Sequence, residues 1–121
     1  MLKFHEIENT VFAELTDETS VISEIQDVLD LIGHCGLNNC NKIVIKEQNL
    51  HSDFFRLSTG LAGEILQKFS TYDFKLAIIG DFSKYISKNL QDFIRESNRG
   101  RSIFFVSDMD EALNKIVKLH R

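Results

Sequence analysis

The chain has 121 residues and a formal net charge of -4, enough for one domain that buries about two thirds of the surface its unfolded form exposes. Hydrophobic residues at 43% and charged residues at 26% exclude intrinsic disorder. The acidic balance repels phosphate backbones and anionic lipid surfaces, so neither nucleic acid nor membrane is an expected partner.

The opening run, MLKFHEIEN, carries charges where a signal peptide needs an apolar stretch, and no later segment approaches the length of a membrane span; the expected location is the cytoplasm. Residues 2–7 and 10–16 alternate apolar and polar around Glu8-Asn9, which predicts a hairpin of two short strands with one wet face. Asp17 to Ser20 then offer cap-type side chains. Ile22, Ile25, Val28, Leu29 and Ile32 recur at helical spacing, with Gly33 and Gly36 as the expected stop.

Cys35 and Cys40 sit in GHCGLNNC. With no export signal, two reduced thiols are a better reading than a disulfide. One CxxxxC with His34 beside it lacks the second pair of ligands of a structural zinc site, so no metal is expected.

KIVIK at 42–46 is a short β-branched run, predicted to be a central strand covered on both faces. Residues 47–57 are the least regular, Phe54, Phe55 and Leu57 fitting either a helical turn or a packed loop. Ser58, Thr59 and Gly60 then lead into a second helix, with Leu61, Ile65, Leu66 and Phe69 facing inward and Ala62 and Gly63 allowing close backbone approach. FKLAII at 74–79 reads as the next strand, ending at Gly80-Asp81. Ser83 is the expected cap of a third helix burying Ile86, Leu90, Phe93 and Ile94 and stopping at Gly100. SIFFV at 102–106 is the last strand, followed by a helix capped by Ser107 or Asp108, with Asp110 and Glu111 in its first turn and Met109, Ala112, Leu113 and Ile116 buried.

The order is β-β-α-β-α-β-α-β-α: an α/β fold with a mixed, mainly parallel five-stranded sheet, the hairpin at one side, and residues 1–121 as a single domain. Ligands and partners of such sheets collect at the carboxyl ends of the parallel strands, which here carry Glu47, then Gly80, Asp81, Ser83 and Lys84, then Ser107 and Asp108. Asp81 serves equally as a turn residue bonding local N–H groups. Ser58 and Thr59 exceed what one helix cap requires, and a phosphate on either would change local charge by about -2. Arg95, Arg99 and Arg101 form a possible anion patch, or a dipole-matched helix end. His5, His34, His51 and His120 are dispersed and form no ligand set. GxSxG, Walker and GxGxxG signatures are absent, and no catalytic residue or cofactor is assigned.

TGLAGEILQKF, LAIIGDFSKY and DFIRESNRGR, in that order between Phe54 and Val106, resemble a bacterial family known as a domain of unknown function (4180). The element order is also similar to STAS domains, the fold of bacterial anti-sigma-factor antagonists. There a DSSGL-type motif opens a helix, and its first serine is phosphorylated by a partner kinase. The resemblance puts Ser58 of STGL at that position, with Leu57 where the antagonists carry Asp and a longer connection from KIVIK.

The reading is a small regulatory module, monomeric or homodimeric, that binds a protein partner through Ser58, Thr59, Gly60, Asp81 and Ser83, more readily than an enzyme. The alternative is a small-molecule or nucleotide site with Glu47, Asp81 and Asp108 around a pocket at the strand ends.

Overall fold

In the computed structural model, which describes residues 2–118, five strands form one sheet in the order β1-β2-β3-β4-β5. β1 (Leu2–Ile7) and β2 (Thr10–Leu15) are antiparallel. Glu8 and Asn9 both have positive φ, as a two-residue hairpin turn demands. β3 (Lys42–Lys46), β4 (Lys75–Ile79) and β5 (Ile103–Val106) run parallel to β2. β3 is therefore central, and its Ile43, Val44 and Ile45 are buried, as the β-branched run predicts.

The helices are α1 (Ile25–Leu37), α2 (Leu61–Thr71), α3 (Lys88–Arg99) and α4 (Met109–Ile116). Each crossover from β2 to β5 steps one strand in the same direction, so the right-handed rule places α1, α2 and α3 on one face. Their buried side chains meet Ala13, Ile43, Leu76 and Ile103, which lie abreast across the sheet. α4 covers the other face, packing Ala112, Leu113 and Ile116 with Val44, Ala77 and Phe104. No helix among the described residues is long and apolar enough to cross a membrane.

Several local expectations change. α1 runs through Gly33 and Gly36; it ends where Asn39 takes a left-handed conformation and Cys40 N–H returns to the Cys35 carbonyl at 3.1 Å. Asp17 does not cap α1, because its carboxylate closes a turn on Thr19. The Asp27 carboxylate caps it instead, accepting Ser23 N–H at 2.9 Å and Glu24 N–H at 3.2 Å. Ile22 lies before the helix and bridges to Leu50. Gly63 has open space where a side chain would stand, so it permits no close approach. α2 ends as α1 does, with Asp73 left-handed and Phe74 N–H bonded to Phe69 O at 2.8 Å.

Residues 47–59 form three short 3-10 turns. Asn49, fully buried, anchors them: its Oδ1 accepts Lys46 N–H at 3.0 Å and its Nδ2 donates to the carbonyls of Ser20 at 2.9 Å and Asp17 at 3.1 Å. A buried amide with both ends paired fixes the end of β3 to the connection between β2 and α1.

Candidate functional site

The carboxyl end of β4 is built around a glycine. A Cβ on Gly80 would stand 2.7 Å from Glu47 Oε1 and 2.8 Å from Glu47 Cβ, so the Glu47 side chain occupies the space any other residue would need. Glu47, only 15% exposed, accepts a hydrogen bond from the Tyr85 hydroxyl and an ion pair from Lys84 Nζ at 2.7 Å. Burial pushes the Tyr85 hydroxyl pKa well above its ordinary value, and the bond to the Glu47 carboxylate adds to it.

Tyr85 also stacks on Phe55 at 4.6 Å with the rings 9° from parallel, and Phe82 meets Phe105 edge-on at 5.1 Å. Gln91, from α3, donates its Nε2 to the carbonyls of Phe82 and Tyr85. The 81–87 segment is thus held from the 3-10 turns through Glu47 and Phe55, from β5 through Phe105 and from α3 through Gln91. These tethers correct two expectations: Ser83 does not cap α3, which starts later with Ser87 accepting Leu90 N–H, and Ile86 is not buried. It is 96% exposed at the crest of the loop.

Asp81 and Ser83 do come together. The Asp81 carboxylate accepts the Ser83 hydroxyl at 2.6 Å and its N–H at 3.1 Å, and these bonds hold the Asp81 pKa below the ordinary carboxylate value. Asp108 caps α4 by accepting Glu111 N–H at 2.8 Å, while Glu111 accepts from Ser107 N–H and hydroxyl at 2.8 and 2.9 Å. A cavity of about 500 Å³ lies here, lined by Gly80, Asp81, Phe82, Val106, Ser107 and Glu111 among others. Of Glu47, Asp81 and Asp108, only Asp81 lines it.

Ser58, Thr59 and Gly60 lie in one exposed turn ahead of α2. The Thr59 hydroxyl sits 2.7 Å from the Asp53 carbonyl and 2.9 Å from that of Arg56, and accepts Leu61 N–H at 3.3 Å. Gly60, at φ 83°, takes the N-cap position that a hydroxyl residue was expected to fill. Ser58 is exposed, and no hydrogen bond of its hydroxyl is found among the described residues. The Ser58 turn and the Asp81-Ser83 pair are linked through the Phe55–Tyr85 stack; no hydrogen bond or ion pair joins them directly among the described residues.

Arg95 pairs with Asp92 on α3, Arg99 occupies the last turn of that helix, and Arg101, beyond it, accepts Lys75 Nζ at its carbonyl at 2.8 Å. Cys35 and Cys40 are buried free thiols whose sulfurs lie 3.9 and 3.2 Å from the Lys42 carbonyl. The hydrogen bond from Cys35 lowers the Cys40 thiol pKa to about 7, while that bond and burial push Cys35 up. Among the described residues no cluster of three His, Cys, Asp or Glu side chains is placed to hold a metal. His5 stacks on Phe12, His34 meets Phe4 edge-on and His51 accepts Asp53 N–H, so these three serve separate places; His120 lies outside the described residues.

Sequence reasoning placed Lys84 at this strand end but missed Tyr85 and the exposure of Ile86. The available signal was the aromatic and charged run Phe82, Lys84, Tyr85 directly after a strand end, which fits a built loop as well as a helix start.

Compared with known protein families, residues 7–116 match the one described as domain of unknown function (DUF4180). No curated protein and no solved structure matches the chain.

Proposed function

The chain belongs to the DUF4180 domain family, and we propose that it works there as a small regulatory interaction domain of the bacterial cytoplasm, docking a protein partner at the Ile86 loop and the Ser58-Thr59-Gly60 turn. The observation that carries this reading is Ile86, 96% exposed on a segment tethered at Tyr85, Asp81 and the carbonyls bonded by Gln91. An apolar side chain presented on an ordered loop gains by being covered and gives up little chain entropy when it is, the profile of an interface anchor. Ser58 supports phospho-control: it is exposed, the resemblance of STGL to the STAS motif puts it where those domains carry their phosphorylated serine, and a phosphate there would recast the charge of the docking surface.

The test is a photo-crosslinking residue placed at Ile86 and, as a control, at the half-exposed Tyr72, with irradiation in native cytosol and mass spectrometry of the products and of the Ser58-Thr59 peptide. A discrete product from position 86 alone is expected, and its loss with Ser58→Glu would establish the switch. No product from position 86 overturns the docking reading.

A second reading has the cavity of about 500 Å³ in its favour, since strand ends are where α/β proteins hold small ligands. Such a ligand would raise the melting temperature saturably, and a flat response across a broad metabolite panel removes it.

A further inference from the structure

Cys35 and Cys40 take no part in the docking reading, and the fold brings them together where two elements meet. Cys35 stands in the last turn of α1 and Cys40 just ahead of β3, with the left-handed Asn39 turning the chain between them. The Cys40 N–H bonds the Cys35 carbonyl at 3.1 Å, so the two residues are tied through their own backbone. Their side chains converge as well. The two sulfurs share the Lys42 carbonyl, at 3.9 and 3.2 Å, and the Cys35 thiol donates to the Cys40 sulfur. Thiols fixed by the chain and bonded to each other need only a small displacement to reach disulfide geometry.

Their surroundings give them different parts. The bond from Cys35 favours a thiolate at Cys40; burial opposes it, and the Lys42 backbone and charge favour it further. The same bond and burial keep the proton on Cys35. An attacking thiolate beside a protonated neighbour is the arrangement of an attacking and a resolving cysteine. Both side chains are buried, but Gly36, Leu37, Asn38 and Asn39 above them are all exposed. That turn is closed by bonds within itself, among them Asn39 N–H to the Gly36 carbonyl at 3.1 Å and Asn38 Nδ2 to the His34 carbonyl at 2.9 Å. A cover of this kind admits a small oxidant and holds off a bulky one.

We propose that Cys35 and Cys40 form a peroxide-reactive dithiol that passes reversibly to an intramolecular disulfide. The Cys40 thiolate attacks one oxygen of hydrogen peroxide; an S–O bond forms, the O–O bond breaks, and the departing hydroxide takes a proton from solvent. The Cys35 sulfur then attacks the Cys40 sulfenic acid. The S–S bond forms, the S–O bond breaks, and the Cys35 proton goes to the leaving hydroxide. Two thiols lose two electrons and one peroxide becomes two waters. A dithiol reductant reverses the oxidation by exchange. A disulfide has no S–H to donate, so oxidation strips both thiol donors from the Lys42 carbonyl, at the first residue of the central strand.

The test exposes the reduced full chain to hydrogen peroxide, then unfolds it and alkylates it with iodoacetamide. No lysine or arginine separates Cys35 from Cys40, so one tryptic peptide, residues 4–42, reports both. The expected product is that peptide without alkyl groups and lighter by two hydrogen atoms, from a chain that still migrates as a monomer, with both thiols restored by dithiothreitol. Cys35→Ala should leave Cys40 as a sulfenic acid that dimedone captures, and Cys40→Ala should slow the loss of the remaining thiol at least about tenfold. Two alkyl groups on the parent peptide after peroxide, or a disulfide formed between chains instead, overturns the inference, whether or not either variant folds. Dimedone capture at Cys35 in folded Cys40→Ala, as fast as at Cys40 in folded Cys35→Ala, overturns the assignment of the attacking thiol.

Discussion

The side chain of Asn98 pairs with the backbone of Phe105 as a sixth strand would: Phe105 N–H donates to Asn98 Oδ1 at 2.7 Å, and Asn98 Nδ2 donates to the Phe105 carbonyl at 3.2 Å. β5 is an edge strand, and an amide from α3 closes part of its open side. Asn98→Ala strips both partners at once and should cost about 1–3 kcal/mol. Urea unfolding reads that cost, and a midpoint equal to the parent's would show the edge to be held by other means.

Gly80→Ala forces a methyl group against Glu47 and Phe82 and should destabilise by about 1–3 kcal/mol. If Glu47 is the obstacle, Gly80→Ala combined with Glu47→Gly, which removes both the carboxylate and the Cβ, should lose less than the two single losses added together. Strict additivity in that double-mutant cycle would place the obstacle elsewhere.

Tyr85 gives stability an alkaline limit. Its folded pKa stands above the ordinary value of 10.0, because burial and the Glu47 carboxylate favour the neutral phenol. The folded state keeps a proton that the unfolded chain releases, so this contribution is complete below the unfolded value. It declines as pH rises through that value towards the raised folded one. Tyr85→Phe should cost about 1–2 kcal/mol at neutral pH and flatten the alkaline decline in a series of melting curves; an unchanged slope would assign the decline to other groups.

The thiol pair supplies a spectroscopic test. The Cys40 thiol is held below its ordinary pKa because Cys35 donates a hydrogen bond to it. Cys35→Ala removes that donor, so Cys40 should ionise at higher pH, followed by thiolate absorbance in the ultraviolet. A transition still near the parent's value would mean that the Lys42 backbone and charge suffice to lower it.

The element order could be read from the chain because each strand and helix carries its own hydrophobic period. KIVIK could only be central, and the stripe Leu61, Ile65, Phe69 could only face inward. The beginning of α3 was a different kind of problem. Ser83 and Ser87 both precede an apolar run, and Ile86 falls four residues before Leu90, as a buried helical position would. What excludes it is the bond from Tyr85 to Glu47, 38 residues earlier in the chain, and no local pattern reports a partner at that distance. The end of α1 was misread for a nearer reason: two glycines drew the stop forward, whereas the left-handed Asn39, able to adopt that conformation through its short polar side chain, sets it. Asn49 escaped notice because a buried amide is recognisable only once both of its carbonyl partners are in place.

Each strand of this sheet lies beside the strand made just before it. During synthesis the sheet can therefore grow outward in one direction, every new β-α unit finding its docking edge already formed, without waiting for a distant segment. The exception is the face over Val44, Ala77 and Phe104, which has no helix until the last element is complete. Released chains truncated before residue 109 should hold a formed sheet with one greasy side bare, the species on which a chaperone would act and from which aggregates would start.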